Sequence, residues 1–145
     1  MKARFNYYTA SPDTMKAMFN SQAVIEATGL EARLINLVEL RASQINGCAF
    51  CMHMHSAQAR KNGVSNEHLD TLAGWRDTDW FSEREKAALG WTEYLTRLSQ
   101  GGDGEAAYEA MARHFTEKER TDLTYVIGTI NMWNRFSVGF QTHPE

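Results

Sequence analysis

The chain has 145 residues, 43% hydrophobic and 23% charged, which suits one globular domain with a buried core and excludes a disordered chain. Fifteen basic against eighteen acidic side chains leave a net charge of −3, so no cationic excess exists to neutralise a phosphate backbone and nucleic acid is not an expected partner. No apolar run approaches the roughly 18–20 residues of a membrane span, and Met1 to Ala10 lacks the apolar stretch of a secretory signal, so a cytoplasmic protein with no membrane partner is expected.

Ten glycines and two prolines are few for this length, and no alternating apolar–polar run asks for a strand. The expected architecture is therefore an all-α, single-domain bundle of about seven helices. The first helix is expected to open at Ser11-Pro12-Asp13, to carry Met15, Met18, Phe19 and Gln22 on one face, and to stop at Gly29. A second starts near Glu31, with Leu34, Leu37, Val38 and Ile45 at helical spacing and Arg33 and Arg41 elsewhere on the wheel. Asn46-Gly47 breaks the pattern. A third helix runs from about Cys48 to Gly63, with Arg60 and Lys61 in its last turn. Ser65 then caps a short helix through Leu69, Leu72 and Ala73, and Gly74 to Trp80 reads as a loop. Ser82-Glu83-Arg84-Glu85 and Thr116-Glu117-Lys118-Glu119 are two capping boxes, each opening a helix. Glu105 to His114 forms a shorter helix between them, after a Ser99 to Gly104 turn. Trp75, Trp80 and Phe81, large apolar groups in short elements, point to self-association as their cover.

One constellation carries chemistry: Cys48-x-x-Cys51-x-x-x-His55, placed just behind Asn46-Gly47. If Cys48 opens a helix, all three fall on one face. A helix N-terminus stabilises an anion, so a thiolate is favoured there. A second cysteine three residues on can close a disulfide once the first is oxidised, and an imidazole in reach can move the proton. Proximity to the helix start favours Cys48 as the nucleophile, and the pairing with His55 favours Cys51. Two plainer readings stand beside this one: two buried apolar cysteines, or a zinc site of Cys48, Cys51 and His55 with His53. No second CxxC and no finger-spaced histidine pair supports zinc. His53, His68, His114 and His143 read as surface histidines, and Met52 and Met54 as gap-fillers.

The segment from Leu37 to His55, containing Arg41-Ala42-Ser43-Gln44-Ile45-Asn46-Gly47-Cys48-Ala49-Phe50-Cys51 and Met54-His55, resembles the AhpD-like alkylhydroperoxidases of the carboxymuconolactone decarboxylase family. The resemblance covers about the first two thirds of the chain. It implies a single AhpD-like domain over residues 1–145, with the motif core over about 14–98, that assembles as a homo-oligomer, trimer or hexamer. It also implies reduction of hydrogen peroxide or small organic hydroperoxides, with Cys51 peroxidatic, Cys48 resolving and His55 in the proton relay. A dithiol or protein reductant would restore the pair, and neither a cofactor nor a metal ion is expected. A general thiol–disulfide oxidoreductase or redox sensor, and a non-catalytic helical oligomer binding a metal or a partner, are the alternatives. The family's decarboxylase branch does not use such a pair. This chain departs from the AhpD pattern at Asn36, twelve residues before Cys48, where the best-known members carry a glutamate. Glu39, one turn further on, is the carboxylate candidate in its place, although a solvated helix face is the commoner setting for such a residue.

Overall fold

Helix α3 (Ala32–Asn46) is the axis of the computed structural model, which describes residues 1–144. Residues Asn36 through Ser43 of α3 are all buried, because Leu34, Leu37, Val38, Leu40 and Ala42 leave no side of the helix without an apolar group. Around it pack α4 (Ala49–Lys61), α6 (Glu83–Thr96) and α8 (Glu117–Gly139). Helix α1 (Tyr7–Ala10) and helix α2 (Pro12–Glu26) lie against α8, α5 (Asn66–Thr71) continues into a 3-10 segment at Leu72–Asp77, and α7 (Gly104–His114) packs on α6. There is no strand among the described residues.

One core cluster joins Leu34 and Val38 of α3 to Ala87 and Ala88 of α6, Met111 of α7 and Leu123, Val126 and Ile127 of α8. A second joins Leu37 and Leu40 to Ala59, Leu69, Leu72, Trp75, Phe81 and Leu89. Each fully buried leucine or isoleucine contributes roughly 1.5–3 kcal/mol, so α3 is held from both sides. A polar ladder ties its end to α8: Asn46 Nδ2 donates to Asn131 Oδ1 and Asn134 Oδ1, both at 2.9 Å, and Asn134 Nδ2 donates to Ser43 Oγ at 3.0 Å.

Both expected capping boxes are present in full, at Ser82–Glu85 and Thr116–Glu119, since a box depends only on residues three apart. Five expectations change. Among the described residues there are eight α-helices where about seven were expected, because α1 is one turn capped by Asn6 and too short to show a period. The Gly74 to Trp80 stretch is not all loop, since the 3-10 segment runs to Asp77 and buries Trp75. Phe81 is buried as well, so of the three aromatic groups expected to need a partner surface only Trp80 remains exposed, at 52%. Phe19, placed on the first helix's packing face, is also exposed, at 54%. His68 is more than a surface histidine: its Nε2 lies 2.9 Å from the Trp80 carbonyl and joins α5 to the following loop.

Candidate active site

The joint between α3 and α4 sets the site. Gly47 takes φ +66° and ψ +30°, a left-handed conformation open to glycine and strained for other side chains. It lets the Cys48 amide donate back to the Ser43 carbonyl at 3.0 Å, the closure typical of a helix end. Cys48 therefore arrives as the N-cap of α4, and its sulfur accepts the Cys51 amide at 3.2 Å. Glutamates occupy the first turns of α6 and α8, whereas α4 has no acidic residue in its first turn. The positive end of α4 thus faces the two sulfurs with no carboxylate of its own to offset it.

Cys48 and Cys51 are joined as a disulfide, with their Cα atoms 5.3 Å apart, within the usual range for such bonds. Cys48, Cys51 and His55 are all buried. Cys51 and His55 line one cavity, with Cys48 at the N-cap behind them. His53 points to the exposed side of α4. Among the described residues no group of three or more His, Cys, Asp or Glu is arranged to hold a metal ion.

Glu39 corrects the solvated-face expectation. It is buried on α3, and its Oε2 lies 3.0 Å from His55 Nδ1. The same nitrogen is 3.0 Å from Gln58 Oε1 in hydrogen-bonding alignment. Asn36, at the position where the resemblance leads one to look for a carboxylate, is also buried, and there it accepts a hydrogen bond from Asn62 Nδ2 at 2.6 Å. An amide ties α3 to the end of α4 at that position, and the carboxylate sits one turn on. The signal for Glu39 was present: a helix buried all round must find a partner for each polar side chain it carries. Gln58 lies three residues after His55 and so on the same face, a spacing that is the sequence signal for it.

In front of Cys51 is a cavity of about 200 Å³. Tyr8, Phe19, Phe50, Met54 and Trp133 give it apolar walls, and His55, Gln58, Gln22, Glu26 and Ser137 form its polar side. Burial, helped by the Tyr7 hydroxyl, holds the Tyr8 phenol far above its ordinary pKa of 10.0, so it stays neutral. A second cavity, about 320 Å³, lies behind the carboxylate and is lined by Gln22, Glu26, Asn36, Glu39, Gln58 and Asn62, among others. A larger cavity, about 580 Å³, lies elsewhere, between α6 and α7, and is lined by Glu93 and by no sulfur. Glu93 accepts from Arg41 Nε and Trp75 Nε1, both at 2.9 Å, and from Arg76. Burial works against its ionisation, but the donors of Arg76, Trp75 and Arg41 prevail and hold its carboxyl below the usual range.

Residues 12–94 match the carboxymuconolactone decarboxylase family. A crystal structure from Agrobacterium tumefaciens, of a protein of unknown function for which a role as the antioxidant defence protein AhpD has been put forward, superposes with a TM-score of 0.95 at 41% identity, covering 99% of each chain. The uncharacterized protein YdfG of Bacillus subtilis is 34% identical over 138 residues, 95% of this chain and 94% of its own. The alkyl hydroperoxide reductase AhpD of Hyphomonas neptunium is 36% identical over 62 residues, 43% of this chain and 32% of its own. The fold is thus AhpD-like.

Proposed function

The chain belongs to the carboxymuconolactone decarboxylase family, and on that premise we propose that it is a thiol-dependent peroxidase acting on hydrogen peroxide or small organic hydroperoxides. The observation that carries this reading is the line Cys51, His55, Glu39: a sulfur at a helix start, an imidazole one turn on, and a buried carboxylate 3.0 Å from that imidazole. In the reduced protein His55 takes the Cys51 proton, and the thiolate attacks one peroxide oxygen. The O–O bond breaks, the leaving alkoxide takes the proton back from His55, and Cys51 becomes a sulfenic acid. The Cys48 thiol then displaces water and forms the disulfide. An external dithiol or protein reductant returns both sulfurs to thiols and is itself oxidised.

Glu39 faces the ring nitrogen away from the reacting proton and stabilises the imidazolium that forms. The apolar cavity before Cys51 suits the organic part of a small hydroperoxide. Stopped-flow peroxide consumption by the reduced protein tests the reading. Cys51→Ser should lower the rate by at least about 10³-fold, and equal rates for the two proteins would eliminate the mechanism. A general thiol–disulfide oxidoreductase would use the same buried disulfide, and it is told apart by faster turnover of a disulfide substrate than of peroxide. The reading includes a single domain over residues 1–145 working in the cytoplasm as a homo-oligomer, trimer or hexamer. Exposed Phe19 and Trp80 are consistent with subunit contacts. A solution mass of 16.5 kDa by light scattering would remove the oligomer from it.

A further inference from the structure

His55 Nδ1 is shared by two oxygens, Glu39 Oε2 and Gln58 Oε1, each at 3.0 Å. A carboxylate oxygen so close to a ring nitrogen excludes a lone pair there, so Nδ1 carries the proton. Gln58 must then present its oxygen rather than its amide nitrogen, and it is Gln58 that stands in hydrogen-bonding alignment with Nδ1. Nε2 is left as the basic nitrogen, and nothing among the described residues hydrogen-bonds it. Gln58, together with Gln22 and Glu26, lines both the cavity before Cys51 and the polar cavity behind Glu39, so its side chain is one part of the wall between them.

We propose that Gln58 is a positioning residue for the peroxidase reaction, holding His55 with its proton on Nδ1 and Nε2 free for the Cys51 proton, and keeping the peroxide's cavity apart from the polar one. The proposal rests on the peroxidase reading above for its role in turnover, but its effect on His55 and on the Cys51 thiol stands apart from peroxide. When His55 accepts the Cys51 proton the ring gains a charge, and the Gln58 and Glu39 oxygens both stabilise it. Removing the Gln58 oxygen makes that transfer less favourable, and the thiolate forms only at higher pH. The ionisable groups facing His55 or lining the two adjoining cavities are Glu39 from α3, Glu26 from α2, Tyr8 from α1 and Cys51 from its own helix, while α8 contributes only Trp133 and Ser137.

The test uses reduced full-length protein carrying Cys48→Ser, so that ultraviolet thiolate absorbance reports Cys51 alone. Gln58→Met keeps the wall and removes the oxygen; Gln58→Glu keeps an oxygen. Gln58 is exposed on one side, so neither change disturbs the core. The expected result is a Cys51 titration displaced to higher pH in Gln58→Met, with the thiolate fraction at pH 7 lowered about tenfold, the worth of one hydrogen bond to a charged group. Gln58→Glu should bring the titration back to or below that of the parent. In the protein with both cysteines, Gln58→Met should slow peroxide reduction at pH 7 and recover at alkaline pH. Nitrogen chemical shifts of neutral His55 should place the proton on Nδ1. An unmoved titration in Gln58→Met, or failure of Gln58→Glu to restore it, overturns the proposal. If the parent consumes no peroxide yet Gln58→Met still displaces the titration, the peroxidase reading falls and the positioning role stands.

Discussion

Helix α3 buries two carboxylate pairs on different sides, and they are completed to different degrees. On one side Arg41 reaches Glu93, which also takes Trp75 Nε1 and Arg76 and has Arg97 Nη1 at 3.9 Å. On the other, two residues back along the same helix, Glu39 faces one imidazole nitrogen and adjoins a cavity. Glu93 is surrounded by arginines that never lose their charge, so its surroundings are locked. Glu39 is paired with an imidazole, a group that can take up and release a proton. Burial of charge is common to both; what separates a structural lock from a candidate relay is whether the partner can give up its proton.

The largest effect expected from breaking this contrast is on the locked side. Glu93→Ala leaves Arg41 buried without a carboxylate, and urea unfolding should show a loss of about 3–5 kcal/mol. The pH dependence has a definite sign. The Glu93 carboxyl is held below its ordinary value of 4.5, so its contribution is complete above that pH and is lost as pH falls through the lower, folded value. Wild type should therefore lose stability on acidification below about pH 4.5 more steeply than Glu93→Gln, measured by unfolding midpoints across the acid range. On the relay side the response should be in rate instead. Glu39→Gln keeps the shape and removes the charge that stabilises protonated His55, so peroxide consumption should fall on the order of 10²-fold. Its unfolding free energy should move by less than about 1 kcal/mol, because the His55 Nδ1 proton keeps its Gln58 acceptor when the carboxylate is replaced by an amide. The smallest effect belongs to the ladder that holds both sides in register. Asn46→Ala removes the donor to Asn131 and Asn134 and should cost about 1–2 kcal/mol in urea unfolding, with the Cys51 titration unchanged.

The parts of the fold that were legible in the sequence are those set by neighbours along the chain. Ser82–Glu85 and Thr116–Glu119 form the boxes their spacing announces, and Asn46-Gly47 ends α3 where glycine alone is at ease. Cys51 and His55 line one cavity because residues four apart on a helix lie on one side of it. Trp75 and Phe81 show the opposite: the chain around them reads as a loop, and only the packing of Leu72, Leu89 and Ala59 reveals that they belong to a core.

The sequence by itself determined an all-helical chain, a reactive-looking pair of sulfurs at the start of one helix and an imidazole a turn away, because each follows from contacts three or four residues apart. Which carboxylate meets that imidazole was decided by tertiary structure. Glu39 meets His55 and Gln58 only because α4 crosses α3 at one register, and that register is set by the leucines of α3 and the distant residues of α6 and α8 that they pack against. A helix pattern shows which side chains share a face but not which neighbouring helix that face will meet.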